Sequence, residues 1–102
     1  MPVPAAELDS APQIVPFAGE LDEGARPDVA DRLDRISPSG RVIVDLRRVT
    51  YLEASIVGLL IRLRNRLAQA EQPLCVVVTP GSWPERVFAL TGTEDVLCVC
   101  NR

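Results

Sequence analysis

Residues Arg41 to Glu71 read RVIVDLRRVTYLEASIVGLLIRLRNRLAQAE, and a change of hydrophobic period inside this stretch decides the fold. In the segment Arg41 to Leu46, Val42, Ile43 and Val44 stand in a row, with Gly40 before them and a charged pair after. A β-branched run of this kind suits a strand buried on both faces of a sheet. From Ser55 the period becomes helical. Ile56, Leu59, Leu60, Leu63 and Leu67 fall on one stripe, and Ser55 stands where an N-cap or first-turn residue belongs.

The stripe is wider than one packing face needs. Val57, Ile61 and Ala68 extend it sideways, while Gly58, Arg62, Asn65 and Gln69 take the far side. Two causes fit. A neighbouring helix or loop covers Val57 and Ile61, or they form a small apolar docking patch with the modifiable hydroxyl of Ser55 at its edge.

Upstream, Gln13 to Leu21 carries Ile14, Val15, Phe17 and Leu21 in a strand pattern, and Pro16, which cannot donate to a ladder, places that strand at an edge or a bulge. Gly19-Glu20-Leu21-Asp22 closes it, and Pro27 suits the first position of a helix with Val29, Leu33 and Ile36 on its apolar side. On the other side of that helix, Asp28 to Arg32 and Asp31 to Arg35 have i,i+4 spacing. Ser37-Pro38-Ser39-Gly40 breaks the chain before the central strand.

Downstream, Leu74 to Thr79 is a second continuous apolar run, so strand, helix and strand define a βαβ crossover with a parallel pair. Ser82-Trp83-Pro84-Glu85 has capping-box spacing, Gly92 stops the helix it opens, and Val96 to Cys100 reads as a last strand. The expectation is an α/β domain over residues 13–102, preceded by a loose arm at 1–12. Its sheet is mixed and mostly parallel, with four to five strands and about three helices.

A length of 102 residues gives room for one core. The net charge of −3 argues against a nucleic-acid surface, and the absence of histidine removes imidazole chemistry. The chain has no glycine-rich phosphate loop and no GxSxG elbow, so the reading is not an enzyme and implies no cofactor. Asp45 is expected to bond loop amides at a strand end, and Trp83 to lid a hydrophobic gap. The N-terminus lacks a basic, apolar leader, and no apolar run is long enough to cross a bilayer, which predicts a cytoplasmic protein. Three cysteines without CxxC spacing are a poor disulfide framework and a poor zinc site. Cys98 and Cys100, two apart in a strand, would share a face, and Cys75 could approach one of them if their strands are neighbours, which leaves a redox response open.

Four short motifs, in order and at compatible spacing, resemble one family. Gly19-Glu20-Leu21-Asp22, Val42-Ile43-Val44-Asp45-Leu46, Tyr51-Leu52-Glu53-Ala54-Ser55 and Leu90-Thr91-Gly92 are similar to those of the STAS domains, and within them the bacterial anti-sigma-factor antagonists. The resemblance covers Gln13 to Cys100. It implies a single STAS-like domain that binds and does not catalyse, with Ser55 at the position that a partner kinase phosphorylates. The family's site reads Asp-Ser-Ser-Gly; here Glu53, Ala54 and Ile56 stand for the aspartate, the first serine and the glycine. Glu53, Ala54, Ser55, Ile56, Val57 and Ile61 are then the expected partner-binding residues. The implied partner is an anti-sigma factor of the GHKL-type kinase class, whose capture frees a sigma factor. Three alternatives are a constitutive scaffold, an accessory subunit of a lipid-trafficking ABC transporter, and an antagonist regulated through its thiols.

Overall fold

The computed structural model describes residues 11–101. The expected arm at 1–12 therefore falls almost wholly outside the described residues. Within them the order is β1 (Gln13–Leu21), a 3-10 turn (Glu23–Ala25), α1 (Arg26–Asp34), β2 (Val42–Leu52), α2 (Ala54–Gln69), β3 (Leu74–Val78), α3 (Trp83–Thr91) and β4 (Val99–Asn101). The four strands make one sheet in the order β1-β2-β3-β4, and every neighbouring pair is parallel.

Strand order equals chain order, so each crossover steps in the same direction. Right-handed crossovers taken one way place all their helices on the same side. The burial pattern agrees. Val42, Val44 and Leu46 of β2 and Leu74, Val76 and Val78 of β3 are buried, whereas Ile43, Asp45, Cys75 and Val77 between them are only half-buried. Val42, Val44, Leu74, Val76 and Val78 join Val29, Leu33, Leu60, Leu67 and Phe88 from the helices in one core. The expectation that the central strands are buried on both faces is thus corrected: a single-wound sheet leaves one face without helices. Its apolar residues Ile43 and Val77 lengthen the apolar run and mimic double-sided burial.

β1 lies at the sheet edge, as Pro16 requires, and its register with β2 shifts between Pro16 and Ala18. Arg32 of α1 holds that irregularity. Its guanidinium donates to the Pro16 carbonyl at 2.5 Å and lies 4.1 Å from the centre of the Phe17 ring, rather than pairing with Asp28. The second spaced pair does form, Arg35 to Asp31 at 3.1 Å. A further shift falls between Gly19 and Glu20, where Gly19 takes φ 78°, a conformation that glycine adopts without a Cβ penalty. Asp22 then caps the 3-10 turn, accepting from the Ala25 amide at 3.0 Å.

β2 runs six residues past Leu46, to Leu52. Asp45 is therefore not at a strand end. It sits mid-strand on the helix-free face, where Oδ1 accepts from the Arg47 amide and Nε at 3.0 Å and Oδ2 from Nη2 at 2.9 Å. The Arg47 side-chain hydrogen bonds hold the Asp45 carboxyl below its ordinary value of 3.8, against the opposing effect of partial burial. A carboxyl depressed on folding adds stability above its unfolded pKa and loses it as pH falls through the folded one. Asp45→Asn is accordingly expected to lower the unfolding free energy at neutral pH, with the difference vanishing in acid well below the ordinary carboxylate range. Urea titrations of both proteins across that range check this, and a pH-independent difference would remove the ion pair as its cause.

At the other end of the chain, Gly92 terminates α3 with φ 66°, and its amide donates to Ala89. The capping box does not close. Ser82 is the N-cap without a side-chain bond, and Glu85 turns outward, accepting from the Gly81 amide at 2.9 Å and from Asn101 at 2.6 Å. Those two donors lower the Glu85 pKa, the Gly81 amide contributing most. The last strand is also shorter than expected. Leu97 and Cys98 donate to Thr93 and Asp95 in a turn, Cys98 takes φ 53°, and pairing starts only at Val99. Cys98 is exposed and does not share a strand face with Cys100.

Candidate functional site

The C-terminal ends of β1 and β2 and the start of α2 meet at one corner. Here the Glu53 amide donates to the Leu21 carbonyl at 3.0 Å, which joins the strand ends as the chain turns into the helix. Glu53 is the N-cap residue, extended at φ −78°, ψ 141°, and makes no side-chain cap bond. Ala54 and Ser55 follow in the first turn, both exposed. That turn contains no acidic residue, so the free amides and positive end of the helix dipole carry no carboxylate of their own there. Arg26 of α1 reaches across and donates to the Ser55 carbonyl at 3.1 Å, which brings a cation beside the same turn.

The apolar part of the expected site is arranged differently. Ile56 is fully buried and Val57 is 4% exposed. Both belong to the core, so neither supplies partner-contact area through its side chain. Ile61 is half-buried and packs against that core. Contacts of α2 with α1 on one side and α3 on the other explain the widened stripe. Of the two causes weighed from sequence, neighbour cover is the one found, and the proposed patch of Val57 and Ile61 is corrected.

The exposed apolar area at this corner comes from elsewhere. Tyr51 at the end of β2 and Trp83 at the start of α3 stack with ring centres 6.0 Å apart and planes 12° from parallel. They are 41% and 40% exposed. The Trp83 indole N–H donates to the Leu52 carbonyl at 3.1 Å, and the Arg86 guanidinium lies 5.5 Å from the centre of its ring. Trp83 is anchored at its N–H edge, and its ring stays 40% exposed instead of sealing the core as a lid. Sequence reading passed over Tyr51 as a contact residue, although it lies four positions before Ser55; only the α3 crossover brings Trp83 to it.

Two buried polar atoms complete the corner, Glu53 Oε2 and Ser82 Oγ, neither with a hydrogen-bond partner among the described residues. The three cysteines lie away from it. Cys75 and Cys100 are on β3 and β4, on the helix-free face. Among the described residues no group of three or more His, Cys, Asp or Glu side chains could hold a metal, and no helix is long and apolar enough to cross a membrane.

This end of the helix-covered parallel sheet presents an exposed serine in an acid-free first turn and a stacked, partly exposed aromatic pair. Comparison with known proteins gives the chain's family. The model described as "Mlab, STAS domain" matches residues 5–99, and the chain belongs to the STAS domain family. It is 38% identical over 52 residues to a STAS-domain containing protein of Pseudomonas aeruginosa (strain UCBPP-PA14), a match covering 50% of this chain and 52% of that protein. The chain thus spans about half the length of the curated relative it matches.

Proposed function

We propose that this chain is an anti-sigma-factor antagonist. It docks an anti-sigma factor of the GHKL-type serine kinase class and so frees a sigma factor, without catalysis of its own, and phosphorylation of Ser55 reverses the docking. The observation that carries this reading is the exposed Ser55 in the first turn of α2, following exposed Ala54 and four positions after Tyr51, which stacks on Trp83. Glu53 is the N-cap residue two positions before it on the strand side. Buried Ile56, Val57 and half-buried Ile61 hold the helix in place beneath it, a supporting role rather than a contact role.

The electrostatics separate the fold from the interface. A phosphate on Ser55 adds about −1.5 to −2 charge. At a helix N-terminus, with Arg26 anchored to the same residue's carbonyl, that charge is tolerated, and the dipole contributes roughly 0.3–1 kcal/mol in its favour. A partner seated over Tyr51 and Trp83 must instead desolvate the dianion, and each 1.4 kcal/mol of that cost weakens binding about tenfold. Ser55→Asp is therefore expected to leave the thermal midpoint nearly unchanged while abolishing partner capture.

Pull-down with tagged wild-type and Ser55→Asp proteins from the native host, followed by mass spectrometry, tests this. Recovery of a GHKL-type kinase by the wild type alone is the expected result, together with transfer of one phosphate to Ser55 when that kinase and ATP are added. Equal recovery by both forms, with no phosphate transfer, would make the chain a constitutive scaffold. A second reading, an accessory STAS subunit that docks the ATPase of a lipid-trafficking ABC transporter, is favoured by the family description, which names Mlab beside the STAS domain. Recovery of a transporter ATPase in place of the kinase would establish it.

A further inference from the structure

β3 and β4 are neighbouring parallel strands, and their register sets Val77 opposite Cys100. Cys75 lies two residues before Val77 and therefore on the same face. There the two sulfurs meet, Cys75 Sγ to Cys100 Sγ at 3.3 Å. A disulfide needs about 2.05 Å, so closing the remaining gap takes about 1.3 Å of sulfur movement. β4 is a three-residue edge strand paired on one side only; its Val99 packs against the core while Cys100 lies on the opposite, helix-free face, so the movement falls on the side chains at the sheet edge.

Access is also present. Both thiols are half-buried rather than sealed, and they line an open groove with Ile14, Ile43, Asp45 and Val77 on the face that carries no helix. The third thiol, Cys98, is exposed in the preceding turn, and only its carbonyl approaches the pair, at 3.6 Å from Cys100 Sγ. This geometry distinguishes one pairing from the three that the sequence allows.

We propose that Cys75 and Cys100 form a hydroperoxide-responsive oxidation site that closes to an intramolecular disulfide. In the first step one thiolate attacks a peroxide oxygen, the O–O bond breaks, and a sulfenic acid and an alcohol or water result. In the second, the other thiolate attacks the sulfenic sulfur, the S–S bond forms, the S–O bond breaks and hydroxide leaves, taking up a thiol proton as water. Two thiols lose two electrons and two protons, and the hydroperoxide is reduced to the alcohol and water. The bond ties β4 to β3 and closes a loop over α3, independently of the state of Ser55.

Treatment of the full chain with hydrogen peroxide, followed by non-reducing intact mass and peptide mapping, tests the site. The expected result is a monomer lighter by two hydrogens, a mapped Cys75–Cys100 link, and a thermal midpoint raised by roughly 5 °C or more, reversed by dithiothreitol. Cys98→Ser retains all three results. Cys75→Ser loses the link and gains oxygen on Cys100 instead. A link that includes Cys98, a product that is only intermolecular, or oxygenated thiols without loss of two hydrogens would each overturn the proposal.

Discussion

Phe88→Ala is expected to lower the unfolding free energy by about 3–5 kcal/mol. Phe88 is fully buried and heads the largest fully enclosed side chains of the core. It sits on α3, the helix that packs over β2 and reaches β4, so its ring fills the space between the helix and the middle of the sheet. Removing it forfeits the transfer free energy of the ring and leaves a cavity whose walls are strand side chains fixed by a hydrogen-bond ladder, which cannot collapse inward. Against a total of roughly 5–15 kcal/mol for a domain of this size, the loss is a large fraction. Urea unfolding should show a lower midpoint at an unchanged slope, and a loss below about 1 kcal/mol would mean that the site relaxes around the smaller side chain.

Arg66→Met is expected to cost about 2–4 kcal/mol, although the residue lies among the polar positions of α2. Its guanidinium donates to the Leu33 carbonyl at 2.6 Å and to the Ile36 carbonyl at 3.0 Å, across the interface between α2 and the C-terminal end of α1. The Leu33 carbonyl already accepts from the Ile36 amide, and Ile36 lies just past the helix C-cap, so the guanidinium adds a charge-assisted bond at the negative end of the dipole and ties the residue that follows it. Methionine keeps most of the packing and removes both bonds. Hydrogen exchange provides the specific readout. Protection in residues 29–36 should fall more than protection in β2 and β3, and Arg66→Lys should recover only part of it, since an ammonium cannot present the same planar fork. Uniform loss of protection over the whole domain would assign the effect to packing instead.

Local patterning carried most of the fold. The period change after Leu52, Pro16 on an edge strand, Pro27 at a helix start and Gly92 at a helix end each have a short-range cause, and the chain displays them in sequence. What escaped has a long-range cause. Nothing in the local sequence marks the tertiary bonds of Arg66 and Arg32, because their acceptors, the carbonyls of Leu33, Ile36 and Pro16, lie on other elements. The run through Val42, Ile43 and Val44 reads as doubly buried because an apolar residue on a helix-free face looks the same in sequence as one under a helix. Ser55 was legible as a first-turn residue, since helix starts announce themselves. The aromatic surface beside it was not, because Tyr51 and Trp83 are brought together by β2 and α3 across more than thirty residues.

The equality of strand order and chain order has a consequence for how the domain assembles. No strand must be inserted later between two that are already paired, so each βαβ unit can dock on the edge left by the one before it. Contacts are thereby kept as short-ranged as a parallel sheet permits, which favours rapid folding. Synthesis proceeds in the same direction, from β1 toward β4, and the growing edge is always the most recently made strand. A chain wound this way can build its sheet in the order in which it is made, with β4 the last strand to close.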